Sequence, residues 1–353
     1  MKISHIYLFS SFNTQGVSTR YRGTYMLAEM KDQCGINHSF VYPGYKPKEI
    51  LGFLKTYISA LVFRKRNSLI IFQKLHSNGL YTFLLKILLW FRPKNTIYDT
   101  DDADYIRFRD NNIHHFMCKC DVCTVGSTAL ANYAGKRNEN VLLLSSPMIR
   151  HDEVKTKRNK ILHIGWVGDY GMNSGYTAPY SHKISLKEIL FPILHELSFE
   201  FKLTILGVKN PTDKLEIETF FKDRKNIRLN IPMDIDWLDE INIYRMIKDF
   251  DIGVSPMVNH DFNIAKSAFK AKQYLSCGVP VLASPVGENL KLIKDAYNGY
   301  ICNNSEDFKS RIIEINDLSE IEYDKLLRNA FQGTPEFRID NYCRILLSYF
   351  ISG

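Results

Sequence analysis

The sequence predicts an α/β protein of two doubly wound domains, and three observations carry that expectation. Short apolar runs rich in Ile, Val, Phe and Tyr alternate with longer stretches whose apolar residues recur every three or four positions, the pattern of βαβ units on a parallel sheet. This series occurs twice, on either side of a charged stretch at 151–160 (HDEVKTKRNK) that reads as a linker. The length, 353 residues, is that of about two domains.

In chain order, strands are expected at 3–9, 69–72, 96–98 and 122–125, and after the linker at 161–167, 202–206, 227–229, 252–255 and 281–283. The division read from this pattern is a first domain at 1–155, a second at 156–334 and a terminal amphipathic helix at 335–353. Two such domains are expected to face a cleft, with ligands at the carboxyl ends of the strands.

Composition narrows the class. Hydrophobic residues make up 45%, charged residues 24% and aromatics 13%, which excludes disordered, collagen-like and small disulfide-stapled chains. The net charge of +8 suits anionic partners such as phosphates or acidic headgroups and is too mild to call for nucleic acid. The longest apolar run, Gly79–Phe91, is interrupted by Lys86 and is too short to span a bilayer. The first residues read as a strand rather than an export signal, and seven cysteines, an odd number, fit a reducing compartment, so a cytoplasmic protein without disulfides is expected.

Two segments depart from plain globular patterning. Between 46 and 66, Lys46, Lys48, Lys55, Arg64, Lys65 and Arg66 flank Ile50, Leu51, Phe53, Leu54, Tyr57, Ile58, Leu61, Val62 and Phe63; between 80 and 92, an apolar run through Trp90 and Phe91 ends in Arg92. Basic amphipathic helices with aromatics lie in membrane interfaces, so peripheral contact with an anionic membrane stands beside the plainer reading of helices packed on a sheet.

The most informative run is 263–288, NIAKSAFKAKQYLSCGVPVLASPVGE. It reads as a helix carrying Lys266, Lys270 and Lys272, a turn at Gly278 and Pro280, a buried strand, and a tight loop of Ser284, Pro285, Val286 and Gly287. Lys266 and Lys270, four apart, are expected on one helix face. Gly165-Trp166-Val167-Gly168 after a strand is a second place where backbone N–H groups meet an anion.

These motifs resemble the donor region of nucleotide-sugar-dependent glycosyltransferases with two Rossmann-like domains (the GT-B fold), especially the family 4 group. The resemblance spans the second domain and, more weakly, the rest. It implies that Gly168, Lys266, Lys270, Ser284, Val286 and Gly287 surround the donor diphosphate without a metal or other cofactor, that Lys183 joins them, and that the terminal helix crosses back to the first domain. Many relatives carry two glutamates eight residues apart in the donor helix; here Ala265 and Gln273 stand in those places. Gln273 retains hydrogen-bonding capacity for a ribose hydroxyl, and the two lysines would stabilise the leaving diphosphate.

In the first domain the loop 13–23 holds Gly16, Ser18, Thr19, Arg20 and Arg22 ahead of a helix, an anion-seeking start or simply a capped one. Asp99, Asp101, Asp102 and Asp104 crowd one strand end. Such carboxylates must be solvated, bind a cation, or have one pKa raised. The resemblance places Asp101 and Asp102 beside the acceptor or the transferred sugar, with His76 a lesser candidate for a catalytic role. The run 114–123, with two histidines and three cysteines, lacks the second spaced pair of a zinc site.

The implied function is transfer of a sugar from a nucleotide-diphosphate donor to a glycan or lipid-linked acceptor, with retention of anomeric configuration, in surface polysaccharide assembly such as capsule or lipopolysaccharide. The alternative is a catalytically silent protein of the same fold that binds a glycan or an enzyme. A two-domain sugar-binding protein of periplasmic type fits the architecture without the export signal.

Overall fold

The computed structural model describes residues 3–63, 67–77, 79–91, 94–108, 111–151, 153–171 and 178–351. It contains two compact units: Met1–Ile149 with Ala265–Ser267 and Phe337–Gly353, and Arg150–Ile264 with Ala268–Glu336.

The first unit is built on a six-stranded sheet of β1 (His5–Ser10), β2 (Asn37–Val41), β3 (Ser68–Gln73), β4 (Thr96–Thr100), β5 (Val122–Val125) and β6 (Val141–Leu143). The order is β2-β1-β3-β4-β5-β6 and every pairing is parallel. The second unit repeats the plan with β7 (Leu162–Val167), β8 (Phe201–Leu206), β9 (Ile227–Asn230), β10 (Ile252–Ser255), β11 (Val281–Ala283) and β12 (Gly299–Ile301), ordered β12-β11-β10-β7-β8-β9 and again parallel. Winding reverses between β1 and β3 in one sheet and between β7 and β10 in the other. In open parallel sheets that reversal opens a crevice at the carboxyl ends of the strands.

Central strands such as β3 and β7 are buried throughout, as expected of strands covered on both faces. The terminal helix Ile339–Ile351 belongs to the first unit, where Ile339, Tyr342, Cys343, Leu346 and Leu347 share a core with Met26, Met30 and Ile71. A separate core in the second unit is centred on Trp166, Leu190, Phe201 and Ile205.

The structure departs from the sequence reading in three places. β2, β6 and β12 were not expected; all three are edge strands, and β2 opens with exposed Asn37 and His38, without the apolar run that marks a buried strand. The charged stretch 151–160 is not a free hinge within its described residues. Lys155 is buried, with Nζ 2.9 Å from Asp251 Oδ1, and Arg158 donates to the carbonyls of Ile315, Asn316 and Leu318, satisfying a helix C-terminus. The single helix expected to carry Lys266 and Lys270 is two, Asp261–Ile264 and Phe269–Ser276, separated by a segment whose Ala268 is left-handed at φ +54°.

Candidate functional site

In the second unit, some of the expected donor residues, Gly168, Lys270 and Ser284 among them, lie at the strand ends beside the β7/β10 reversal. The Tyr274 hydroxyl accepts from Val167 N–H at 3.0 Å and donates to the Val254 carbonyl at 3.1 Å, joining the ends of the two strands. Gly168 follows β7, and the Lys270 side chain crosses it so closely that a Cβ there would lie 2.8 Å from Lys270 Cε. The Lys270 ammonium, 6.0 Å from the centroid of the Trp166 ring, reaches His182 Nε2 at 2.8 Å. An ammonium has only donors, so the imidazole accepts. His182 opens a helical turn capped by Ser181, whose Oγ accepts from Ile184 N–H.

Gln273 is buried on the Lys270 helix. In the next loop Ser284 Oγ accepts from Met257 N–H at 2.9 Å, linking the ends of β10 and β11, and Val286 is buried. Gly287 has φ +58°, and a Cβ there would stand 2.5 Å from the Ile264 carbonyl, so glycine is required for both reasons. Lys183 lies apart from Lys270: its Nζ is 2.7 Å from Asp213 Oδ1 and 2.8 Å from Glu216 Oε2, so two carboxylates already match its charge. The neighbouring His182, not singled out from sequence, takes the position beside Lys270.

In the first unit, a second group forms at the carboxyl ends of β1, β3, β4 and β5. Its buried floor is Arg22 and Asp99: Nη2 to Oδ1 is 2.5 Å and Nε to Oδ2 is 3.2 Å, with Gln73 and Thr124 also donating to the carboxylate. Arg22 also donates to the Leu144 carbonyl. Burial opposes the guanidinium charge, yet Asp99 outweighs it and the Arg22 pKa lies above its ordinary value.

Above this pair sits Lys74, buried directly after β3, with its ammonium 2.5 Å from Asp102, 3.2 Å from Asp101 and 3.5 Å from Asp104. Burial disfavours the lysine charge, but the three carboxylates hold its pKa well above the ordinary value. Burial raises the Asp102 pKa and Lys74 and Lys266 lower it, with lowering the net result. Asp104 is pushed up to about 6 by burial, reinforced by the charges of Asp102 and Asp101 against the pull of Lys74. The crowded carboxylates thus close around an internal cation, which the sequence reading had not assigned.

The remaining candidates are placed as follows. Asp101 Oδ2 accepts from Ser18 Oγ at 2.7 Å and Ser146 Oγ at 3.3 Å, and the Thr19 hydroxyl bonds Ser10 Oγ at 3.1 Å, so neither Ser18 nor Thr19 caps the helical turn that begins at Val17. Gly16 is the N-terminal boundary of that helix, and buried Arg20 donates to the Thr14 and Gln15 carbonyls, folding the loop over itself. His76 is buried, stacked on Phe108 at 3.9 Å with Nδ1 2.8 Å from Ser77 Oγ. Lys266 does not share a face with Lys270. It belongs to the first unit, 3.7 Å from Asp102 Oδ1, in a segment held by Ser127 Oγ on the Ala265 carbonyl and by Ser267 on Ser146. In the 114–123 run, His114 bonds the Tyr133 hydroxyl, and among the described residues no group of three His, Cys, Asp or Glu side chains is arranged to hold a metal ion.

Residues 175–317 match the family model described as Glycosyl transferases group 1. The chain carries a group 1 glycosyl transferase domain. This domain contains Lys183, Lys270, Gln273 and the Ser284–Gly287 loop, and makes the protein a transferase. No curated protein sequence matches the chain. Among solved structures, Alr3699/HepE of Anabaena in complex with UDP is 13% identical with a TM-score of 0.64, covering 100% of both chains. Sucrose-phosphate synthase of Thermosynechococcus elongatus is 12% identical with a TM-score of 0.71, covering 99% of this chain and 98% of its own. The lipopolysaccharide outer core galactosyltransferase WaaB is 11% identical with a TM-score of 0.64, covering 99% of each chain. At these identities the likeness is one of fold, the two-domain GT-B fold around the group 1 domain.

Proposed function

We propose that the protein transfers a sugar from a nucleotide-diphosphate donor, held by the second unit, to a glycan or lipid-linked acceptor bound by the first. The observation that carries this reading is the Lys270–His182 pair, both residues within the stretch matching group 1 glycosyl transferases, lying over Gly168 at the β7/β10 reversal. A cation and an imidazole at a strand-end crevice suit a diphosphate, and both would stabilise the leaving group as its charge develops. Gln273 holds the ribose, and the Ser284–Gly287 loop lies beneath the phosphates. The HepE complexes with UDP and UDP-glucose favour a uridine donor, and the WaaB likeness favours an acceptor in surface polysaccharide assembly. Transfer proceeds with retention and needs no metal.

The same proposal places the protein in the cytoplasm at the inner face of an anionic membrane. Helices Pro47–Val62 and Gly79–Phe91 lie side by side, with the Tyr57 hydroxyl on the Leu84 carbonyl. Each buries one apolar face, yet the outer faces are also apolar: Leu51 is 68% exposed, Phe63 73%, Leu80 74% and Trp90 78%. A surface helix is expected to be polar outward. Apart from buried Lys74, residues 45–95 hold nine lysines and arginines against the single acid Glu49, a net +8 in this one segment. Arg64, Lys65, Arg66 and Arg92 of this segment lie outside the described residues. Among the described residues no helix is long and apolar enough to cross a membrane.

The test is thermal stabilisation by a panel of nucleoside diphosphates and nucleotide sugars, followed by transfer to lipid-linked saccharides with and without EDTA. A uridine-specific shift and EDTA-resistant transfer are expected. The replacement of the glutamate pair by Ala265 and Gln273 favours a second reading, a silent carbohydrate-binding relative; nucleotide binding without turnover on any donor would select it. Co-sedimentation with vesicles containing anionic lipid, lost at high salt, tests the membrane contact, and indifference to lipid charge would remove it.

A further inference from the structure

The three aspartates around Lys74 are not equivalent. Asp101 is held at both oxygens, Oδ1 by Lys74 and Oδ2 by Ser18 and Ser146. The side chain of Asp104 is 4% exposed, facing Lys74 from within the unit. Asp102 alone is 25% exposed; its Oδ2 is taken by Lys74, while the partner of Oδ1 among the described residues is the Lys266 ammonium at 3.7 Å. Lys74 itself adopts a left-handed backbone at φ +52°, unusual for a residue with a side chain, and its N–H donates to the Asp99 carbonyl at 2.9 Å. That conformation, a source of backbone strain, lets Lys74 leave β3 beside the end of β4, where the aspartates begin.

Resting on the transferase reading above, we propose that Lys74 is a positioning residue for the transfer step, clamping Asp102 by one carboxylate oxygen so that the other accepts a substrate hydroxyl. Asp99 has no share in this clamp, because Arg22 and the donors from Gln73 and Thr124 occupy its oxygens. The charged groups facing Asp102 are Lys74 after β3, Asp101 and Asp104 on its own strand-end turn, Arg107 on the helix Asp104–Phe108, and Lys266. With Lys74 removed, Asp101, Asp102 and Asp104 repel one another at close range, and a proton settles on the group in place of the cation. The clamp therefore sets both the direction of Asp102 and its ability to accept a hydrogen bond near neutral pH.

The test compares wild type, Lys74→Met and Lys74→Arg in sugar transfer, with stabilisation by UDP reporting whether the second unit is intact. Lys74→Met is expected to lower kcat by about a hundredfold, to leave donor KM within about twofold, and to move the acid limb of the pH–rate profile upward. Lys74→Arg is expected to restore part of the rate. A purely structural lysine would reduce the yield of folded enzyme without moving the acid limb. Should Lys74→Met fail to fold, Lys74→Met with Asp104→Asn keeps the local charge closer to balance and replaces it. Wild-type rate and an unmoved acid limb in either folded variant overturn the inference while leaving the transferase reading intact. A folded, UDP-stabilised wild type that transfers no sugar overturns both.

Discussion

The Lys270 ammonium donates to His182 Nε2 at 2.8 Å, joining two residues 88 positions apart at the end of β7. The contact fixes a cation directly over Gly168, and on the proposed function a diphosphate entering there would gain a charge-assisted hydrogen bond. Replacing Lys270 by Met is expected to weaken UDP binding about tenfold or more, with the melting temperature of the unliganded protein little changed. Isothermal titration with UDP measures it, and equal affinity would move the phosphate site elsewhere.

Gly207 is expected to be intolerant of any side chain. Its φ is +113°, and a Cβ would lie 1.6 Å from the Gly168 carbonyl oxygen, so Gly207→Ala must displace the turn that carries Gly168. A loss of about 3 kcal/mol or more is expected in urea unfolding.

Arg22 and Asp99 form a buried ion pair whose members depend on each other. Arg22→Met leaves the Asp99 carboxylate without its cation and is expected to destabilise by about 3–5 kcal/mol. Adding Asp99→Asn to that variant should return part of the loss, which a double-mutant cycle in urea reads directly.

Asp104 and Asp102 have opposite effects on stability as pH changes. The folded pKa of Asp104, about 6, lies above its ordinary 3.8, so the folded state binds the extra proton. Its contribution is present at low pH and is lost as pH rises toward and through 6. Asp102 is lowered, so its contribution is present above the ordinary carboxylate range and disappears as pH falls through and below it. Urea midpoints from pH 4 to 7.5 should therefore show a component that declines with rising pH and is absent in Asp104→Asn. An unchanged slope in that variant would refute the assignment.

Trp90 and Phe91 lie on the outward face of their helix and contribute little to the core. Trp90→Ser with Phe91→Ser is expected to change unfolding stability by no more than about 0.5 kcal/mol while weakening anionic-vesicle binding by at least about tenfold. Vesicle flotation and urea titration on the same preparation separate the two effects.

The sequence made the central strands easy to find, because burial on both faces forces uninterrupted runs such as Leu69 to Phe72 and Ile252 to Val254. The edge strand β9 was found from sequence, but the edge strand β2 escaped, because its exposed Asn37 and His38 carry no apolar signal. The tight turn at Ser284–Gly287 was readable from its glycine. The break at Ala268 was not, since nothing in alanine announces a left-handed backbone, and the break sends Lys266 to Asp102 instead of alongside Lys270. Lys74 escaped as well: a lone lysine after a strand looks like solvated surface until the neighbouring strand end brings three carboxylates to it.

The place of the helix Ile339–Ile351 bears on how the chain is made. The second unit is nearly contiguous in sequence, and most of its parts have left the ribosome once residue 336 is free. The first unit, although translated earlier, still lacks Tyr342, Leu346 and Leu347 from its core at that moment. Removal of 337–353 should therefore open the core of the first unit while leaving the core of the second whole, a difference that limited proteolysis reads.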